Sequence, residues 1–138
     1  MTGIYIILIE LDGPNVILAG KKRRFDFQRG FYGYVGSALS GLERRVGRHL
    51  SSTKRPHWHI DHLLSTAKIR NIICAETSER KECTVAQTLS QRLPPIAGFG
   101  CSDCNCQSHL FFCQDFEVLK VSVFDAFKSL ELNPTVYI

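Results

Sequence analysis

The sequence lacks any long hydrophobic run, any internal repeat and any low-complexity tract. No stretch approaches the roughly 18 apolar residues that a membrane-spanning helix needs, so we expect no membrane segment. The apolar start, MTGIYIILIELDG, has neither a basic region nor a small-residue cleavage site. It is therefore interpreted as part of the fold rather than as a signal peptide, and a cytoplasmic location is expected.

The composition is that of an ordinary globular chain. Of the 138 residues, 44% are hydrophobic and 22% are charged, which predicts one domain over residues 1–138 with a core of its own. The net charge of +4 is compatible with a polyanionic partner but does not require one. Six cysteines without an export signal argue against a disulfide scaffold and leave metal binding, redox chemistry or simple packing.

Periodicity along the chain predicts an α+β fold with a mainly antiparallel sheet flanked by helices. The segments GIYIILIEL, VILAG, KKRRFDFQRG and FYGYVGSA are typical of strands and predict an antiparallel meander. Helices are predicted in SGLERRVGRHL, PHWHIDHLLSTA and SERKECTVAQTLSQRL, the last with Ser78 as its N-cap. KIRNIICAE and LFFCQDFEVLKVSVF are predicted as strands, and GFGCSDCNCQSH as a loop.

A helical wheel divides the basic residues of GLERRVGRHL into two pairs. The predicted buried stripe consists of Leu42, Val46 and Leu50. Arg44 and Arg48 fall on the far side, where they face solvent or a phosphate backbone. Arg45 and His49 fall at the edge of the stripe, where a charge needs a partner because unpaired buried charge is costly. Arg45 is predicted either to pair with a carboxylate or to face a phosphate, whose oxygens match the guanidinium fork.

The same method places a carboxylate inside the apolar stripe of the helix that follows residue 78. Glu82 falls within the stripe formed by Ala86, Leu89 and Leu93. A carboxylate in a buried face is rarely left unpaired, and a capping box does not explain this one. Glu82 is therefore predicted to face a cation, which is Arg45, a lysine or a metal.

The stretch HWHIDH at residues 57–62 fits the zinc-hydrolase pattern H-x-H-x-D-H of metallo-β-lactamases. That fold needs a longer chain and further ligands, so a zinc site is not predicted here. On a helix, His57 and Asp61 project to the same face and either line a cleft or pair with each other.

The cysteine-rich loop is a stronger candidate for a metal site. Its four possible ligands are Cys101, Cys104, Cys106 and His109. This set suits a closed, structural tetrahedral Zn²⁺ site. The alternative is a tight turn whose small cysteines pack under the sheet. Cys83 and Cys113 are interpreted as core residues, because free cysteine is often buried.

The segments GIY at residues 3–5 and YVG at residues 34–36 resemble the two signature halves of the GIY-YIG nuclease superfamily. Here a basic strand, KKRRFDF, separates the halves, unlike in ordinary members. FDFxxGFYGYVGSA, GLERRVGRHL, KRPHWHIDHLL and GFGCSDCNCQSHLFF resemble a narrower family of small prokaryotic and archaeal proteins. That family is a domain of unknown function with a GIY-YIG-like core, sometimes fused to a DNA-repair glycosylase. The resemblance covers nearly the whole chain.

The resemblance implies an endonuclease that hydrolyses phosphodiester bonds in DNA, in repair or on branched or structured DNA. It implies that Glu82 holds Mg²⁺ or Mn²⁺ and that Arg45 binds the phosphate in the transition state. Tyr5 and Tyr34 would orient or deprotonate the attacking water. His49 would position Tyr5 or assist proton transfer.

A further set of residues is expected to contact the substrate. It consists of Gly36, Lys21, Lys22, Arg23, Arg24, Arg44, Arg48 and His57. The basic members would bind the nucleic-acid backbone without regard to sequence. Gly36 would allow close approach of substrate or of neighbouring side chains. For KKRR, a solvated turn is the alternative. For the whole protein, the alternative is a non-catalytic nucleic-acid-binding or partner-docking module, with or without a structural zinc ion.

Overall fold

The computed structural model describes residues 2–19, 23–38, 41–51, 59–101 and 104–138 of the chain. The strands in these residues are β1 (Gly3–Leu11), β2 (Asn15–Ala19), β3 (Arg23–Phe27), β4 (Gly30–Ala38), β5 (Lys68–Glu76), β6 (Leu110–Cys113) and β7 (Thr135–Val136). The helices are α1 (Leu42–Leu50), α2 (His59–Leu64), α3 (Glu82–Ser90) and α4 (Phe116–Ser129). Within the described residues, no helix combines the length and apolar composition that crossing a bilayer requires.

The predicted antiparallel sheet is confirmed. Five strands form it in the order β6-β4-β1-β5-β7, and every neighbouring pair is antiparallel. The predicted meander is wrong, because β1 pairs directly with β4 and the hairpin of β2 and β3 is a separate two-stranded sheet. The hairpin buries Ile17, Phe25 and Phe27 in the main core. Its apolar side chains therefore pack with the core, while in the described part of the chain its two strands pair with each other and not with the main sheet.

The central strand β1 is buried on both faces, which explains why its sequence is continuously apolar. Tyr5 and Ile7 face a core that also contains the buried residues of α1 and α2 and of the hairpin. Ile4 and Ile6 face a second core built with α3 and α4. The sheet thus separates two layers, and the alternation of side chains along β1 assigns Tyr5 to the layer that contains α1.

The C-terminal quarter corrects one prediction. LFFCQDFEVLKVSVF was expected to be a strand, but only Leu110–Cys113 is extended, and Phe116–Ser129 is helical. The valines favoured the strand interpretation because β-branched residues are enriched in strands. Asp115 starts the helix by accepting a hydrogen bond from the Val118 backbone N–H at 3.1 Å. The buried side chains of α4 recur at helical spacing: Leu119, Ser122, Val123, Ala126 and Phe127.

The start of α3 corrects another prediction. Ser78 was expected to be the N-cap, but the helix begins at Glu82 and its cap position is Lys81, which makes no capping hydrogen bond through its side chain. Glu82 is therefore in the first turn, where a carboxylate interacts favourably with the helix dipole. Its side chain is 32% exposed, so it lies at the margin of the apolar stripe rather than within it.

Candidate active site and neighbouring metal centre

Tyr5 lies near the start of β1, and its hydroxyl is 2.7 Å from Nε2 of His49. Both side chains are buried, with 1% of Tyr5 and 2% of His49 exposed. Gly36 is the β4 partner of Tyr5, and a Cβ atom at Gly36 would overlap the Tyr5 ring. A glycine is therefore required at this position to make room for the tyrosine.

Helix α1 brings His49 to Tyr5 by burying one face against the sheet. Its buried residues are Leu42, Val46 and His49, so the inward direction predicted for His49 is confirmed. Leu50 was expected in the same stripe, but it is the last residue of the helix and is 46% exposed. Arg44 is exposed, as predicted.

Tyr34, Arg45 and Glu82 complete a group with Tyr5 and His49 that we call the tyrosine site. Tyr34 lies on β4, and its ring centroid is 6.3 Å from that of His49. Arg45 hydrogen-bonds the Tyr5 side chain, and the charge of Glu82 acts on both tyrosines. Two strands and two helices therefore bring together the five residues that were predicted to be catalytic.

Burial raises the pKa of the Tyr5 hydroxyl well above its ordinary value, and the charge and hydrogen bond of Arg45 only partly oppose this effect. Burial also raises the pKa of Tyr34, and the charges of Tyr5 and Glu82 add to the shift. A general base at neutral pH needs a pKa shifted in the other direction. Both hydroxyls are therefore suited to donating, accepting and relaying protons rather than to existing as phenolates.

The position of Arg48 differs from the one predicted. It was expected to face solvent or a phosphate backbone, but its guanidinium is paired through both terminal nitrogens with Asp61, at 2.9 and 3.0 Å. The Asp61 side chain is completely buried and that of Arg48 is 29% exposed. A helical wheel describes α1 alone, so it could not predict an ion pair between Arg48 and a carboxylate on α2.

The expected basic strand is only partly within the described residues. Lys21, Lys22, the side chain of Arg23 and His57 lie outside them. Arg24 is exposed, and its Nε is 3.2 Å from Oδ1 of Asp26. The role of these residues in binding substrate stays a prediction.

The second group of chemically active side chains lies next to Glu82. We call it the cysteine–histidine cluster, and it consists of Cys83, Cys104, Cys106 and His109. The potential ligand atoms of these residues all lie within 4.8 Å of one another. These four residues could hold a metal ion, which is one of the two alternatives left open by the sequence, but the ligand set differs by one residue. Cys83 replaces Cys101, so the interpretation of Cys83 as a core residue is wrong.

The fold accounts for this exchange. The loop before β6 turns back on itself, with Gly98 N–H donating to Gln107 O and His109 N–H donating to Phe99 O, at 2.9 and 2.8 Å. Cys101 donates its thiol weakly to Gln107 O at 3.8 Å. Cys83 comes from the first turn of α3 and lies 21 residues before Cys104 in the sequence. The spacing of the cysteines within the loop therefore does not reveal that Cys83 belongs to the cluster.

The distances within the cluster fit tetrahedral zinc. Zn–S bonds of about 2.3 Å and Zn–N bonds of about 2.0 Å at the tetrahedral angle separate sulfur and nitrogen by about 3.5 Å. Nε2 of His109 is 3.6 Å from Sγ of Cys104 and 3.9 Å from Sγ of Cys83. A small contraction would place all four ligand atoms around one Zn²⁺, whereas Mg²⁺ prefers oxygen ligands.

The thiols of the cluster also affect one another. Burial raises the pKa of the Cys106 thiol well above its ordinary value, and its neighbours Cys83 and Cys104 raise it further. Burial likewise raises the pKa of Cys83. Several thiolates so close together repel one another, and a bound cation would remove this repulsion because coordinating thiols are deprotonated by the metal.

The loop that carries the cluster also contacts the tyrosine site. Gly100 has a φ of +70°, and a Cβ atom there would lie 3.0 Å from the Tyr34 ring and 3.4 Å from Cβ of His109. Phe99 packs against Tyr34 with a centroid distance of 6.2 Å. The cluster and the tyrosine site therefore share the walls formed by this loop and by the first turn of α3.

The stretch HWHIDH has other roles in the described residues. Nδ1 of His59 accepts the Gly100 backbone N–H at 3.2 Å, which ties α2 to the cysteine-rich loop. Asp61 pairs with Arg48. The expected shared face of His57 and Asp61 falls partly outside the described residues, and the Asp61 carboxylate forms its ion pair with a residue of α1.

Sequence reasoning did not find the roles of Asp61 and Cys83. A buried aspartate in a short helix gives a signal only through its partner, which lies thirteen residues away on α1. Cys83 gave a signal that was misinterpreted, since a cysteine adjacent to the predicted metal ligand Glu82 suits either packing or ligation.

No curated protein and no solved structure matches the chain. A family model described as "Domain of unknown function DUF123" matches residues 4–132. This match agrees with the predicted membership of a family of domains of unknown function. Because it spans nearly the whole sequence, the chain belongs to the DUF123 family.

Proposed function

We propose that this domain hydrolyses phosphodiester bonds in DNA with the help of a divalent metal ion. The observation that carries the proposal is the tyrosine site, in which Tyr5, Tyr34, Arg45, His49 and Glu82 come together from four elements. The resemblance of GIY and YVG to the signature halves of GIY-YIG nucleases also supports it, because Tyr5 and Tyr34 belong to these segments.

The pair of Tyr5 and His49 provides a route for a proton without forming a phenolate. An attacking water would give its proton to the Tyr5 oxygen, while the proton of Tyr5 moves to Nε2 of His49, 2.7 Å away. The phenol stays neutral at each end of this relay, which suits its raised pKa. Arg45, beside the same hydroxyl, would bind the phosphate oxygens that gain charge.

Glu82 is suited to hold Mg²⁺ or Mn²⁺. Its carboxylate is 32% exposed and therefore accessible to a hydrated ion, and hard cations prefer oxygen ligands and keep several waters. When bound, the ion would stabilise negative charge on the phosphate and on the leaving oxygen.

The basic residues Arg24 and Arg44, both exposed, would contact the DNA backbone. Six free thiols suit a reducing compartment such as the cytoplasm.

The test is cleavage of branched, nicked and single-stranded DNA in Mg²⁺ or Mn²⁺. We expect Arg45→Ala to lower the rate about 100-fold or more, because such donors act on transition-state charge. Glu82→Gln should cut poorly at any metal concentration. Arg92→Ala is the matched control, since Arg92 is an exposed arginine paired with Asp125 away from the site and its loss should leave the rate unchanged.

The proposal fails if no substrate is cut, or if Arg45→Ala and Glu82→Gln cut as fast as the unmodified protein. Each variant must first show an unchanged circular dichroism spectrum and melting temperature, so that a lost rate is not caused by a lost fold.

A second candidate is a non-catalytic nucleic-acid-binding or partner-docking module. The contact between Glu82 and His109, at 3.6 Å, favours it by giving the carboxylate a role outside catalysis. This candidate predicts salt-dependent binding of DNA, measured by fluorescence anisotropy, with no cleavage in either metal. Binding that Glu82→Gln leaves unchanged, in a protein that never cuts, would favour it over the nuclease.

A further inference from the structure

We propose that Cys83, Cys104, Cys106 and His109 bind one structural Zn²⁺ and that Glu82 orients His109 for this metal through Nδ1. The inference goes beyond the proposed hydrolysis and does not depend on it. It assigns Glu82 to a positioning role, in addition to any contact of its carboxylate with a hard cation.

The two nitrogens of His109 face different groups. Nε2 points to the thiols of Cys104 and Cys83, and Nδ1 is 3.6 Å from Oε1 of Glu82. The His109 side chain is 3% exposed, and among the described residues Nδ1 has no hydrogen-bond partner. A buried polar atom left in this state costs about 1–3 kcal/mol. Shortening the contact by a few tenths of an ångström would make it a hydrogen bond and remove the cost.

This arrangement is the one that zinc-bound histidine uses. A ligating histidine donates its second ring N–H to a carboxylate, carbonyl or water, which fixes the tautomer and the ring orientation. With the proton on Nδ1 and facing Glu82, Nε2 of His109 presents its lone pair to the metal. Zinc would replace the three thiol protons of the cluster, which are released to solvent, so that three thiolates and one neutral imidazole surround the ion.

The position of the cluster indicates what the metal would do. Cys83 follows Glu82 in the first turn of α3, a turn that no described side chain caps. Zinc bound to Cys83 and to three residues of the loop would tie this turn to the loop. Through Gly100, which lies against Tyr34 and His109, it would also hold the wall of the tyrosine site. A closed set of four protein ligands leaves no open position, which is typical of a structural site.

The first experiment identifies the ligands. Metal analysis of the full chain should give about one zinc per molecule. Cys83→Ser should weaken zinc binding at least about 10-fold in competition with a chromophoric chelator, because an alcohol is a poor replacement for a thiolate. Cys101→Ser is the matched control, since its thiol lies outside the cluster although its sequence spacing fits. With Co²⁺ in place of zinc, Cys83→Ser should lose thiolate-to-metal charge-transfer intensity while Cys101→Ser keeps it.

The second experiment tests the orienting role of Glu82. Glu82→Ala should lower zinc affinity about 10- to 100-fold, the usual effect of removing a carboxylate behind a ligating histidine. Glu82→Gln should lower it less, since an amide oxygen can still accept from Nδ1–H. Glu79→Ala is the control, because Glu79 is 69% exposed and paired with Lys81 just before the same helix. The d–d bands of bound Co²⁺ should shift in Glu82→Ala only.

Several results would overturn the proposal. Less than about a tenth of an equivalent of zinc, or a greater loss in Cys101→Ser than in Cys83→Ser, rejects the ligand set. A change below about twofold in Glu82→Ala, with an unshifted cobalt spectrum, rejects the positioning role. These measurements contain no DNA, whereas Arg45→Ala tests cleavage without altering the cluster. Failure of one proposal is therefore distinguishable from failure of the other.

Discussion

At the scale of single residues, Gly36 supports the position of Tyr5. A methyl group at residue 36 would overlap the Tyr5 ring. Gly36→Ala should therefore lower the free energy of unfolding by about 1–3 kcal/mol, as overpacking of a core does, and should displace the Tyr5 hydroxyl from His49. The measurement is urea denaturation, followed by circular dichroism.

Gly47 provides the control for this substitution. It lies on the exposed side of α1, and a Cβ atom there would meet nothing within 4 Å. Gly47→Ala should raise the free energy of unfolding by about 0.5–1 kcal/mol, because alanine is the better helix former. Equal effects of the two substitutions would contradict the role given to Gly36.

The partly buried pair of Asp61 and Arg48 supplies a second prediction. Asp61→Asn should lower the free energy of unfolding by about 2 kcal/mol, because it removes the carboxylate charge that pairs with the Arg48 guanidinium. We expect less than for a fully buried pair, since the Arg48 side chain is 29% exposed and keeps part of its hydration. Thermal and urea denaturation of the single variant measure the loss.

Asp125→Asn is the comparison for this pair. Asp125 binds Arg92 at 3.2 Å, but both side chains are more than 40% exposed. Exposed pairs contribute about 0–1 kcal/mol, so this variant should stay within about 0.5 kcal/mol of the unmodified protein. If Asp61→Asn is equally mild, the buried pair does not stabilise the contact between α1 and α2.

The residues that sequence reasoning found and missed differ in a physical way. A wheel describes one helix, and it correctly turned His49 inward and Arg44 outward. It failed for Arg48, whose partner lies on another helix. Spacing along a loop likewise suggested Cys101, whereas Cys83 joins the cluster through space. Contacts between elements distant in sequence are not encoded in local periodicity.

At the scale of elements, the same limit applies to α4. Its segment was predicted as a strand and contains three β-branched valines, but a capping aspartate and buried residues at helical spacing lie in the same segment. β1 and β5 were predicted correctly, because their apolar runs are bounded by turn residues and no helical stripe competes. The antiparallel direction of the sheet was also predicted, but the direct pairing of β1 with β4 was not.

The cap of α4 can be tested directly. Asp115 accepts a hydrogen bond from the Val118 N–H, so Asp115→Ala should lower the free energy of unfolding by about 1 kcal/mol. Asp115→Asn should lose much less, because asparagine is an equally good N-cap. Comparing the urea midpoints of the two variants separates the capping hydrogen bond from the charge. Equal losses in both would indicate that the charge is responsible.

At the scale of the whole molecule, the two-layered packing makes the buried tyrosines sensitive to alkaline pH. Tyr5, Tyr32 and Tyr34 are at most 8% exposed. Burial raises the pKa of Tyr32 to about 12, and it raises those of Tyr5 and Tyr34 above their ordinary value. In the unfolded chain these hydroxyls ionise near pH 10, about where free tyrosine does. Above that pH the unfolded state loses protons that the folded state retains, so ionisation favours unfolding.

The free energy of unfolding should therefore be independent of these groups below about pH 10 and should fall as the pH rises further. For Tyr32 the loss should continue to about pH 12, at up to about 1.4 kcal/mol per pH unit. Tyr32→Phe should reduce this slope, whatever it costs at neutral pH by removing the hydrogen bond to Gln28 O. For these three tyrosines, tyrosinate absorbance and circular dichroism, recorded together, should change at the same pH, because the core layer that contains them must open before their hydroxyls meet water. Gradual ionisation of Tyr5, Tyr32 and Tyr34 near pH 10 in a protein with an intact circular dichroism spectrum would contradict this account of the core.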